Sequence, residues 1–123
     1  MTLHYQESIW IGWDNREAAA FAVARKSCEH HLTRPIPVYG LLLQDLITLG
    51  LYTRPIRYEK TIDGTLMWDV VSDHPMSTQH ANARFFVPYV AKKAGFGGWA
   101  LFCDGDVMFR GNAARLFEQL DKN

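Results

Sequence analysis

"SIWIGWD", Ser8 to Asp14, passes directly into "NREAAAFAVARKSCEHHL", Asn15 to Leu32, and the reading of this junction decides the fold. The first segment is β-branched and aromatic, with no charge until its last residue, which is the pattern of a short buried strand. The second is Ala-rich, with Asp14 or Asn15 where an N-cap belongs and Glu17 in the first turn, where negative charge suits the helix dipole. At helical spacing Ala20, Ala24, Ser27, Cys28 and His31 share one face, and Arg25, Lys26 and Glu29 fall on another. The small face is suited to close packing on a sheet, and the strand that ends in Asp14 directs a carboxylate beyond that sheet.

Working outward, "RPIPVYGLLL", Arg34 to Leu43, predicts a second strand, and "QDLITLG" about two helical turns stopped by Gly50. Strand, helix and strand in that order predict a parallel crossover unit. "RYEKTIDGTLMWDVV" predicts two short strands around an Asp63-Gly64 turn. "HPMSTQHANARFFVPYVAKKAG" predicts a helix from a Ser77 or Thr78 cap to about Ala94, ended by Gly95 and kinked at Pro88. "GWALFCDGDVMF" is an apolar strand running into two aspartates, and "NAARLFEQLDK" a closing helix capped by Asn112. The expectation is an α/β fold in which a mostly parallel sheet is flanked by helices, with residues 1–123 forming one domain.

Composition supports a globular chain and narrows its partners. Of 123 residues, 48% are hydrophobic and 21% charged, near globular averages. Thirteen basic residues balance thirteen acidic ones, so no whole-molecule field attracts nucleic acid. Cys28 and Cys103 have no C-x-x-C spacing and read as buried thiols of a reducing compartment rather than a disulfide. "MTLHYQESIW" lacks a basic region followed by an apolar core, and no apolar run reaches the ~18 residues of a membrane span. The expectation is a cytoplasmic protein without a membrane span.

Asp104-Gly105-Asp106 is open to several readings. Asp and Gly after a strand make an ordinary tight turn. At the carboxyl end of a parallel strand, two carboxylates one residue apart can also direct hard oxygen ligands at one Mg²⁺ or Mn²⁺, which would keep open positions for a diphosphate. Gly105 would let a phosphate-bearing ligand approach the backbone without meeting a Cβ. A calcium loop fails on spacing, because Met108 and Phe109 stand where a third oxygen ligand and the turn glycine belong. A haloacid-dehalogenase-type phosphatase also carries Asp-x-Asp after an apolar strand, but there the motif opens the fold, and here the chain closes soon after it. "TIDGTL" has Thr61 in place of a nucleophilic aspartate and reads as a hairpin turn.

Asp14, Asn15 and Arg16 form a second candidate site. Capping accounts for the acidic residue; function adds that a carboxylate at a strand end can hold a base or ribose, while helix N-terminal amides favour phosphate. No G-x-G-x-x-G or Walker loop is present, and "GFGGW" precedes a strand instead of following one. Arg84, flanked by Phe85, Phe86 and Val87, is expected to be partly buried and so to need an anionic partner, from the aspartate pair or a phosphate. The five histidines show no ligand spacing and receive no role.

Taken in order, "IWIGWDNREAAAFAVARKSCEHH", "STQHANARFFVP" and "LFCDGDVMF" resemble the nucleotide-sugar-binding half of GT-A glycosyltransferases, near glycosyltransferase family 8 and the glycogenin-like group. The resemblance implies a Rossmann-like nucleotide-diphospho-sugar transferase fold and transfer of sugar from a UDP-sugar to an acceptor hydroxyl. It implies that Asp14 contacts the nucleoside, with Gly12, Trp13 and Arg16 beside it, and that Arg84 contacts the donor sugar or its phosphates. Asp106 would be the principal ligand of Mn²⁺ or Mg²⁺, with Asp104 and Gly105 at the ribose or the metal. The family normally continues well beyond its DxD, and the later portion supplies the acceptor site and commonly a metal-binding His. The resemblance therefore implies that the chain corresponds to the donor half, and that transfer needs the later portion as well. A non-catalytic nucleotide-sugar-binding or assembly module of the same fold is the alternative. The open sheet edge left by missing strands would favour self-association.

Overall fold

A computed structural model describes residues 6–121. The first five residues of the N-terminal segment read above lie outside the described residues, as do the last two residues of the chain, including Lys122 of the stretch read as the closing helix.

A three-stranded parallel sheet in the order β2-β1-β6 forms the centre, from Ser8–Gly12 (β1), Val38–Leu41 (β2) and Ala100–Cys103 (β6). Ile9 pairs with Val38 on one side and Leu101 on the other, so β1 is the middle strand. All five of its residues are buried, which explains an apolar run without polar alternation. Successive side chains point to opposite faces. Ile9 and Ile11 therefore join Ala24, Cys28, Val38 and Phe117 in one cluster, while Trp10 joins Leu41, Leu46, Tyr52, Val87 and Val90 in another. Leu101 and Cys103 follow the first and Ala100 and Phe102 the second. Each fully buried Ile or Leu contributes about 1.5–3 kcal/mol, and truncating Ile11 to Ala would cost about 2–5 kcal/mol because the packed layers cannot close the cavity.

Helices cover both faces. A 3₁₀ turn at Asn15–Glu17 leads into α1, Ala18–His31, whose buried residues are Ala24 and Cys28; Arg25, Lys26 and Glu29 are exposed, as the small-face argument expects. The β1-α1-β2 unit is parallel. α4, Ala114–Asp121, packs through Ala114 and Phe117, and the Asn112 side chain accepts the Ala114 N–H at 3.1 Å. On the other face lie α2, Leu43–Thr48, and α3, Val87–Lys93. The expected single helix from Ser77 to Ala94 is corrected: turns lead to a separate 3₁₀ segment at Ala83–Phe86, and Pro88 lies in the first turn of α3. Proline costs nothing there because that N–H has no intrahelical acceptor. Gly95 ends α3 with φ 94°, a left-handed conformation suited to glycine.

The Asp63-Gly64 hairpin forms as expected, pairing β3, Ile56–Thr61, with β4, Gly64–Asp69. A short β5, His74–Pro75, adds a third antiparallel strand. Asp69 anchors this sheet: its buried carboxylate accepts from Arg54 and from the Ser72 backbone at 2.9 Å and hydroxyl. Those bonds, led by the Arg54 pair, hold its pKa far below the carboxylate range.

Candidate functional site

The carboxyl ends of β1 and β6 are neighbours, because Ile11 pairs with Cys103. Gly12 therefore runs alongside the start of the aspartate turn. A Cβ on Gly105 would stand 2.2 Å from the Gly12 carbonyl oxygen, a distance no side chain can occupy. Gly105 is buried. The expectation that this glycine leaves room for a ligand is thus corrected: the space it leaves is filled by the backbone of β1. Gly12 has the same character, since a Cβ there would meet the His80 ring at 2.7 Å.

Packing of Gly105 against Gly12 turns Asp104 and Asp106 outward, and both are exposed. They line a depression of about 230 Å³ together with Glu17, Ser77, His80 and Arg84. Neither aspartate makes a hydrogen bond or ion pair with another described residue. Arg84 is exposed rather than partly buried, because its 3₁₀ segment buries Ala83 instead; its guanidinium lies 5.0 Å from the centroid of the Phe85 ring. Residues singled out from two separate stretches, Arg84 and the Asp104/Asp106 pair, are thereby brought to one concavity at the carboxyl edge of the parallel sheet, where α/β folds place their ligands.

Asp14 has a different position. It is 2% exposed, and its Oδ1 accepts the Arg16 backbone N–H at 2.9 Å, capping the helical turn. The Arg16 guanidinium reaches both oxygens, at 3.1 and 2.9 Å, and Oδ2 also accepts the Gln79 N–H at 3.0 Å. Burial pushes the Asp14 carboxyl upward, but the bonds from Arg16 and Gln79 outweigh it and hold the pKa down to about 2. With both oxygens engaged, Asp14 clamps the end of β1 to the 77–79 segment, and in this arrangement it presents no free oxygen to a nucleoside. Arg16 also donates to the Ser77 carbonyl and lines a neighbouring depression with Asn15, Tyr58, Asp63 and Gln79. Trp13 turns to the opposite side, where its ring meets Phe21 edge-on with centroids 5.0 Å apart. The structure does not bring Gly12, Trp13 or Asp14 to the lining of the aspartate depression.

His80 had no motif to mark it. It is 5% exposed, against Gly12 and with its ring centroid 5.9 Å from that of Phe102. Its only sequence signal is its place in the Ser77–Arg84 stretch. The segment after the aspartates is also tied down: Ser27 Oγ accepts the Phe109 N–H at 2.8 Å and donates to the Ala24 carbonyl at 3.0 Å.

Two exposed carboxylates at a strand end fit a divalent oxygen-preferring cation such as Mg²⁺, which is bound by one or two carboxylates with water and phosphate completing its shell. Among the described residues no group of three or more His, Cys, Asp or Glu side chains is placed to enclose a metal. Cys28 and Cys103 are free thiols in the Ile9 cluster; burial pushes them up to about 11 and about 12. Among the described residues no helix is long and apolar enough to cross a membrane.

No protein-family profile matches the chain, and no solved structure matches it. It is similar to Protein CDI of Arabidopsis thaliana, with 26% identity over 113 residues, 92% of this chain. The chain spans 36% of the length of that relative.

Proposed function

We propose that the chain is the donor-binding part of a metal-dependent glycosyltransferase of the GT-A type, which holds a nucleotide-diphosphate sugar, with a UDP-sugar as the donor class. The observation that carries this reading is the convergence of Arg84, Asp104 and Asp106 in one depression at the carboxyl edge of a parallel sheet. Asp106, with Asp104, would hold Mn²⁺ or Mg²⁺, and the bound ion would supply a Lewis acid for the departing diphosphate. The exposed Arg84 guanidinium offers a bidentate donor to phosphate oxygens on the same side, where negative charge grows as the anomeric bond breaks. The Asp14 clamp fixes the 77–79 segment, and with it the start of the stretch that carries Arg84. Arg16 lines a second depression that shares Thr78 with this one, and in this reading it would serve the nucleoside.

A cytoplasmic setting belongs to this reading, because two free thiols suit a reducing compartment. So does self-association, since the outer edges of β2 and β6 pair with no strand among the described residues.

Calorimetric titration with UDP, with and without Mn²⁺, tests the proposal, together with an assay of UDP-sugar hydrolysis and transfer. Mn²⁺-dependent binding with turnover supports the glycosyltransferase. Mn²⁺-dependent binding without turnover supports a non-catalytic nucleotide-sugar-binding module of the same fold. Release of phosphate from a simple phosphoester, abolished by Asp104→Asn, would establish the phosphatase instead.

A further inference from the structure

We propose that His80 is a ligand-contacting residue of this site, donating a ring N–H to an anionic oxygen of the bound diphosphate. The inference rests on the donor-site reading above and adds a residue to it.

His80 is 95% withdrawn from solvent by its 5% exposure, yet it lines the depression that holds Asp104, Asp106 and Arg84. Its ring makes no hydrogen bond to another described residue. No fully buried side-chain nitrogen or oxygen among the described residues lacks a partner, so the unbonded ring nitrogens are not sealed in the core, and the residue they belong to borders the depression. A histidine used only as packing would ordinarily find a protein acceptor or be replaced by an apolar ring, because a polar edge inside a protein is costly to leave unmatched.

The ring is also held in one place. Its Cγ, Cδ2 and Nδ1 edge lies where a Gly12 side chain would otherwise be, and Phe102 of β6 packs against it at 5.9 Å with a 54° tilt. Both contacts come from strand ends that position the aspartate turn, so the imidazole and the two carboxylates share one rigid base. A role as a third metal ligand is not supported by this geometry, since no three such side chains converge among the described residues. The remaining use of an N–H at this place is a hydrogen bond to the ligand. An anionic oxygen is the acceptor that Arg84 and a carboxylate-bound cation would also favour.

The test combines binding with a direct view of the ring. Titration of wild type, Asp106→Ala and His80→Asn with UDP and with inorganic pyrophosphate, each with Mn²⁺, should show roughly tenfold weaker binding of both ligands by His80→Asn. In the folded wild type, the His80 ring nitrogen resonances should shift when UDP and Mg²⁺ are added. Wild type that binds neither ligand would overturn the donor-site reading and this inference with it. Binding that depends on Asp106 but leaves the His80 resonances unmoved would overturn the inference alone. Should His80→Asn fail to fold, the ring resonances of wild type decide the matter.

Discussion

The Asp14 carboxylate and the Gln79 backbone amide are 3.0 Å apart although 65 positions separate them in the chain. The bond joins the end of the central strand to the segment that leads to Arg84, and Arg16 reinforces it from both oxygens. Asp14→Ala should therefore cost about 2–3 kcal/mol: it strands two backbone donors, while the half-exposed Arg16 can return to water. Urea unfolding measures the loss. UDP binding should weaken as well, because the 77–79 segment loses its anchor.

Acid sensitivity follows from the same carboxylate. Its folded pKa lies near 2 against an ordinary 3.8, so it stabilises the fold above the unfolded value, and that stability is lost as pH falls from about 4 toward 2. Asp69, also held low by Arg54 and Ser72, adds to the loss in the same direction. Asp14→Asn should flatten the dependence of Tm on pH between 5 and about 2; an unchanged slope would mean that the clamp does not form in solution.

Gly105→Ala should be damaging far beyond the size of a methyl group. The added Cβ would have to displace the Gly12 carbonyl, 2.2 Å away, at a cost of about 1–3 kcal/mol. Gly111→Ala, where a Cβ meets nothing within 4 Å, is the neutral control. Thermal unfolding of the two variants, followed by titration with Mn²⁺ and UDP, separates lost stability from displaced aspartates.

Asp106→Ala should leave the unfolding free energy within about 0.5 kcal/mol of wild type, since its side chain is exposed. Metal-dependent UDP binding should fall at least tenfold. Equal loss of stability and binding would show that the aspartate pair is structural.

Asp69→Ala should free the β3-β4 sheet. The change unties Arg54, which can return to water, and strands the Ser72 backbone donor; hydrogen exchange should quicken through Ile56–Asp69 more than in β1 or β6. Protection that falls equally everywhere would mean that the hairpin and the parallel sheet unfold as one unit.

Much of the architecture is legible because it rests on local pattern. The apolar run of Ser8–Gly12 has no polar face to expose, and Ala18–His31 combines strong helix formers with one small face, so strand and helix follow from neighbours in sequence. The same holds for the Asp63-Gly64 turn and the Asn112 cap. Pro88 misled because its effect depends on whether it lies inside a helix or opens one, and the 77–86 stretch folds as short turns fixed by distant partners. Arg84 misled for a related reason: flanking aromatics did not indicate which of them, or Ala83, the turn would bury.

The sequence by itself determined the parallel α/β order and the aspartate pair after an apolar strand, since both depend on residue type and spacing along the chain. Only the tertiary structure decided that Gly105 is demanded by the Gly12 carbonyl, that Asp14 is engaged by Arg16 and Gln79, and that His80 stands beside Asp104 and Asp106. These are contacts between segments far apart in the chain. Their geometry is set by the register of β1 against β6 and by close packing at the strand ends, which no local pattern specifies.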